Sequence, residues 1–197
     1  MHRAIFWLAL GWMATGLLAA AAAAPADPQT ITDLSVEEAR RLAGENRGRL
    51  SLDALTTLSD DAAKELARRE GWLALNGLKS ISDAAAAALG DHKGYLFLDG
   101  LTSLSDAAAA SLAKHGGYLS LNGVTTLSDA AQAALLKSGG ASGHLYTRGG
   151  LSLRGLTSVS PEGARALAAR KGAEAVLNGL TSMSPETATP RLFGPQQ

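Results

Sequence analysis

Cysteine is absent from this chain, and aromatics are scarce, with three each of Trp, Tyr and Phe in 197 residues. Without cysteine there is no disulfide framework, no thiolate zinc site and no cysteine nucleophile. Charge is sparse too. The 18 Lys+Arg balance 18 Asp+Glu, which argues against nucleic acid as the main partner, because phosphate binding needs a basic surface. Hydrophobic types still make up 46%, whereas disordered tails combine low hydrophobicity with high net charge. The length suits one domain with a sizeable core, or a short repeat array.

Residues 1–26 read as a secretory signal peptide. His2 and Arg3 make a positive start, an apolar and small-residue run follows to Ala24, and Ala24-Pro25-Ala26 offers a small-x-small cleavage pattern. The run approaches the roughly 20 residues that span a bilayer, so membrane contact is expected only if the segment is retained. Its alanine-rich second half partitions weakly into lipid, which favours cleavage. Export with no cysteine predicts a bacterial periplasmic or secreted protein held together by its core.

The remainder is a repeat. Leu50-Ser51-Leu52-Asp53-Ala54-Leu55 returns at Leu73, Leu96 and Leu119, 23 residues apart each time; a fifth copy starts at Leu151 and a sixth at Ala175. Leu-x-Leu places both leucines on one side of a short strand. The Asn-Gly or Asp-Gly that follows predicts a sharp turn with positive φ and an Asx side chain bonded to its own turn. Two further apolar residues, such as Leu78 and Ile81, are expected to point inward. Ser59, Ser82, Ser105, Ser128, Ser160 and Ser184 come next, each directly before Asp or Pro. Pro161 and Pro185 mark those serines as N-caps, because proline favours the first helical position. Ala-rich helices are expected to end near glycine at 71, 94, 116 or 172. The pairs Ala62/Ala63, Ala84/Ala85, Ala107/Ala108 and Ala130/Ala131 would let neighbouring helices lie close.

One strand and one helix cannot bury a leucine face, but stacked copies can. The pattern resembles a leucine-rich repeat over about residues 50–188. It departs from the usual form in that Asn76, Asn122 and Asn178 stand directly after the strand, alternating with Asp53 and Asp99. The resemblance implies an α/β fold: a right-handed αβ solenoid with a parallel sheet on one face and short helices on the other. Residues 27–49 read as an N-terminal half-repeat cap, with Ser35 and Glu38 as a capping box. Residues 50–188 would form six coils, with an insertion at 138–150, and 189–197 a loose tail.

If both leucines point inward, three rows point outward. The first is Arg49, Trp72, Tyr95, Tyr118, Gly150 and Glu174, bringing three aromatics onto adjacent strands about 4.8 Å apart. The second is Ser51, Ala74, Phe97, Ser120, Ser152 and Val176. The third is the Asp/Asn row, read as turn formers rather than calcium ligands. Aromatic rows on a sheet bind proteins or sugars, or merely cover one another. Trp72, Tyr95, Phe97 and Tyr118 are therefore the candidate binding residues, joined by Tyr146 and Arg148 from the Gly-rich insertion. His92 and His115 share a repeat position and read as solvated residues at helix C-termini. No G-x-S-x-G, H-E-x-x-H or G-x-G-x-x-G motif is present.

The expected function is a non-enzymatic, monomeric module that binds or scaffolds a protein through its sheet face, with no cofactor and no metal. Protein recognition is the usual role of the resembled family. A structural envelope repeat without a ligand and a carbohydrate-binding surface are the alternatives, and a hydrolase ranks last.

Overall fold

The computed structural model describes residues 28–45, 48–137, 150–169, 175–176 and 182–183. The expected signal peptide, nearly all of the insertion, the helix start at Ser184 and the C-terminal tail lie outside these residues.

Serine starts the helices, as the sequence predicts. Ser35, Ser59, Ser82 and Ser105 sit in extended backbone and each accepts from the N–H three residues on. Ser128 accepts from Ala131 and Ser160 from Gly163 in the same way. The helices are α1 (Val36–Gly44), α2 (Asp60–Ala67), α3 (Asp83–Gly90), α4 (Asp106–Leu112), α5 (Asp129–Lys137) and α6 (Pro161–Ala169). Each packs on the next. A cap of this kind is worth about 1 kcal/mol. Here it has a second tie: Ser82, Ser105 and Ser128 donate to Asp60, Asp83 and Asp106, the first residues of the preceding helices. Only half of the expected capping box forms, because the Glu38 carboxylate binds Arg41.

Between helices run β1 (Arg49–Ser51), β2 (Glu70–Ala74), β3 (Lys93–Phe97), β4 (Tyr118–Ser120), β5 (Leu151–Ser152), β6 (Ser158–Val159), β7 (Ala175–Val176) and β8 (Ser182–Met183). Six of them form one parallel sheet in the order β1-β2-β3-β4-β5-β7. Its register pairs Leu50, Leu73, Leu96, Leu119, Leu151 and Ala175, the residues that open the six sequence copies. A second parallel pair, β6 with β8, was not foreseen. The protein is thus an α/β fold built on a parallel sheet.

The core lies between sheet and helices. Leu52, Leu55, Leu73, Leu75, Leu78, Leu96, Leu98 and Leu101 are fully buried there with Leu66, Leu89 and Leu112 from the helices. Each such side chain stabilises the fold by about 1.5–3 kcal/mol. Ile81 and Leu104, expected to be inward, are only half-buried at its margin.

Four sequence readings are corrected by the way each strand–helix unit meets its neighbour. The expected pair Ala62/Ala63 is buried, but in the next three helices the buried alanines are Ala85/Ala86, Ala108/Ala109 and Ala131, whereas Ala84, Ala107 and Ala130 are exposed. The true phase counts from the N-cap serine, whose third and fourth followers face the adjacent helix. The turn glycines do not take positive φ; a Cβ on Gly100 would lie 2.0 Å from the Asn76 carbonyl oxygen, so closeness to the preceding unit selects glycine there. Gly71 and Gly94 do not end helices. They lie inside β2 and β3 at φ 102 and 136, paired with each other. The Asx side chains do not bond their own turns either. Asp53 Oδ1 accepts from Asn76 N at 3.0 Å, Asn76 from Asp99 N at 3.0 Å, Asp99 from Asn122 N at 2.9 Å and Asn122 from Arg154 N at 3.1 Å. Each backbone N–H just past a strand thereby gains a partner it would otherwise lack.

Candidate functional site

β1 to β4 carry the first outward row in register: Arg49 opposite Trp72, Trp72 opposite Tyr95, Tyr95 opposite Tyr118. The Arg49 guanidinium lies 4.5 Å from the Trp72 ring centroid, a cation–π arrangement. Trp72 and Tyr95 stack at 5.8 Å, and Tyr95 and Tyr118 meet at 6.0 Å with their planes tilted by 44°. Phe97, from the second row, joins them diagonally. Its ring stacks on Trp72 at 4.4 Å and tilts against Tyr118 at 5.6 Å, the reach expected of an aromatic two residues beyond a cross-strand partner. All four rings are half-buried. They form one continuous strip with a cation at its edge. Trp72 Nε1 is enclosed and has no hydrogen-bond partner.

The second row is not the open surface the alternation predicts. Ala74 is 2% exposed, and Ser120 and Ser152 are each 1% exposed. The serines are tied into the Asx ladder: Ser120 donates to Asp99 at 2.6 Å and Ser152 to Asn122 at 2.7 Å. The Asp/Asn row therefore spends its oxygens on backbone and hydroxyl donors. Among the described residues no three His, Asp or Glu groups could hold a metal ion together.

Three residues before Trp72, Tyr95 and Tyr118 stand Arg69, His92 and His115, all buried at 2–4% exposure. The expectation of solvated histidines is overturned. The helices end before them, and each ring turns under the sheet edge toward the preceding strand. His92 Nε2 lies 3.1 Å from the Gly71 carbonyl oxygen and His115 Nε2 3.1 Å from that of Gly94. Since a carbonyl can only accept, Nε2 carries the proton in both. The two rings are parallel within 3°, with centroids 6.0 Å apart. Burial, the largest influence, lowers both pKa values below the ordinary 6.5; for His92 the Gly71 and Arg69 backbones oppose this while the charges of His115 and Arg69 add to it, and for His115 only backbone groups, Gly94 first, oppose it. Arg69 at the head of the column donates to the carbonyls of Leu42 at 3.2 Å and Glu45 at 3.0 Å, and also to that of Gly48. The shared repeat position of His92 and His115 is legible in the sequence; that Arg69 stands in the same 23-residue phase, and that all three are buried, is not read from it.

Of the sequence-predicted binding residues, Trp72, Tyr95, Phe97 and Tyr118 come together in the strip. Tyr146 and Arg148 lie outside the described residues. No helix among the described residues is long and apolar enough to cross a membrane. No protein-family model matches the chain, and no curated protein matches it.

Proposed function

We propose that the chain is an exported, non-enzymatic repeat module, a right-handed αβ solenoid of leucine-rich-repeat type, that binds a protein through its sheet face. The observation that carries this reading is the strip of four half-buried rings across β2, β3 and β4, edged by Arg49. Aromatic and arginine side chains dominate binding energy at protein interfaces, and rings already packed on one another lose little freedom when a partner arrives. The solenoid reading is supported by the shared register of the six sequence copies in one parallel sheet and by the Asx ladder running from unit to unit. Export rests on the signal-like sequence of residues 1–26.

The test is a pull-down from envelope extract comparing the native chain with a Trp72→Ala/Tyr95→Ala/Tyr118→Ala variant whose thermal transition is still cooperative. Loss of a specific protein, with affinity reduced roughly 30-fold or more as expected of hot-spot residues, supports the reading. An unchanged partner set in a folded variant refutes it.

A further inference from the structure

The buried histidine pair is joined to the strip through the strand backbone. Gly71, which accepts from His92, is the residue before Trp72, and Gly94, which accepts from His115, is the residue before Tyr95. The strands approach so closely here that a Cβ on Gly94 would lie 2.1 Å from the Gly71 oxygen, and one on Gly117 1.8 Å from the Gly94 oxygen. In each ring the second nitrogen, Nδ1, is buried and has no hydrogen-bond partner. A neutral ring tolerates this, because Nδ1 is then a weak acceptor. A protonated ring is disfavoured, because it would hold a charge and a second N–H at a buried nitrogen with no hydrogen-bond partner, a cost that outweighs the backbone groups of Arg69 near His92 and of Gly90 and Tyr118 near His115.

We propose that His92 and His115 form an acid-sensitive latch: protonating the pair opens the seam where β2, β3 and β4 begin and loosens the aromatic strip on those strands. The surrounding charges favour opening. Along the column, His92 faces Arg69 on one side and His115 on the other, so a proton added to His92 meets the Arg69 cation and, once His115 is charged, a second one. The remaining charged groups at the seam point to solvent. Glu70 and Lys93 are paired in register at the starts of β2 and β3, while Asp91 and Lys114 precede the two histidines; all four are exposed. Both rings have folded-state pKa values below 6.5, so the latch is closed above pH 6.5. It weakens as the pH falls below that value, when the opened chain binds protons that the closed one refuses. With two sites titrating, the closed-to-open ratio falls by at most about 100-fold per pH unit.

The test uses the full chain carrying Trp7→Phe and Trp12→Phe, so that Trp72 is the one indole. Its emission is followed from about pH 8 to about pH 4.5, a range that spans the histidine titration. A cooperative red shift below pH 6.5 is expected. It should be absent or moved to lower pH in a His92→Gln/His115→Gln variant, whose amide N–H can still reach the same carbonyls but does not titrate. The same transition in both proteins, or none in either, overturns the latch. If the double variant does not fold, the imidazole proton resonances of the native chain decide: midpoints below 6.5 for both rings support it, and midpoints at or above 6.5 overturn it. No ligand is needed, so the latch and the proposed binding role fail independently.

Discussion

Gln132 Oε1 accepts a hydrogen bond from the backbone N–H of Ser160 at 2.8 Å, joining units separated in sequence by the insertion. Its Nε2 donates to the Leu127 carbonyl at 3.1 Å. In α2, α3 and α4 the matching position holds buried alanine, so the glutamine needs extra room on the facing helix. Gly163 supplies it: a Cβ there would lie 2.6 Å from Oε1. Gly163→Ala should therefore destabilise the native chain by about 1–3 kcal/mol through overpacking. In a Gln132→Ala background the same change should cost much less, because the obstructing amide is gone. Urea unfolding of the four-member cycle measures the coupling, and additive effects would contradict the fit between these two residues.

Gly94 should tolerate no side chain. Alanine there combines strain at φ 136 with a Cβ 2.1 Å from the Gly71 oxygen, together about 3 kcal/mol or more. Gly44 is the contrast, with nothing within 4 Å of its would-be Cβ. Gly44→Ala should be neutral or stabilise by about 0.4–1 kcal/mol through the unfolded chain. Urea midpoints of the two variants should move in opposite directions, or the Gly44 midpoint should stay fixed.

Arg69 secures α1 to the strands. Replacing it with methionine leaves the carbonyls of Leu42, Glu45 and Gly48 without their donor, an expected loss of about 3 kcal/mol at roughly 1 kcal/mol per bond. Amide exchange should accelerate first across residues 36–51. Arg69→Lys should not restore protection, because an ammonium lacks the planar fork that serves several carbonyls at once.

The Asp53, Asn76, Asp99, Asn122 alternation keeps carboxylates two strand spacings apart, about 9.6 Å, while every unit still offers an acceptor. Asn76→Asp preserves the acceptor for Asp99 N but places three carboxylates in neighbouring units. It should destabilise the protein at low ionic strength, and added salt should recover most of the loss. Asn76→Ala removes the acceptor and should cost about 1–3 kcal/mol with little salt dependence. Thermal midpoints at two salt concentrations separate the cases.

The leucine phase made the sheet register legible, because burial of a Leu-x-Leu face permits one alignment of the copies. The N-cap serines are legible for a local reason, since proline, here Pro161 after the Ser160 cap, favours the first helical position. What failed were residues read by local rules when their partners lie a unit away. Asn-Gly reads locally as a turn bonding itself, but the nearest unsatisfied donor belongs to the next unit. Gly71 and Gly94 read locally as helix stops, though neighbouring strands demand them. His92 and His115 read as solvated for the same reason, since the carbonyls that hold them belong to the preceding strands. The aromatic row was visible from its spacing, whereas the stacking of Phe97 on Trp72 required the diagonal geometry of adjacent strands.

The Asx ladder has a direction. Each side chain is an acceptor held out for the N–H of the unit that follows it in sequence, never of the one before. A unit packing on the edge of the one before it in sequence therefore meets an acceptor already in position. The row is thus a one-way template, in which each unit carries the acceptor that its successor's backbone needs.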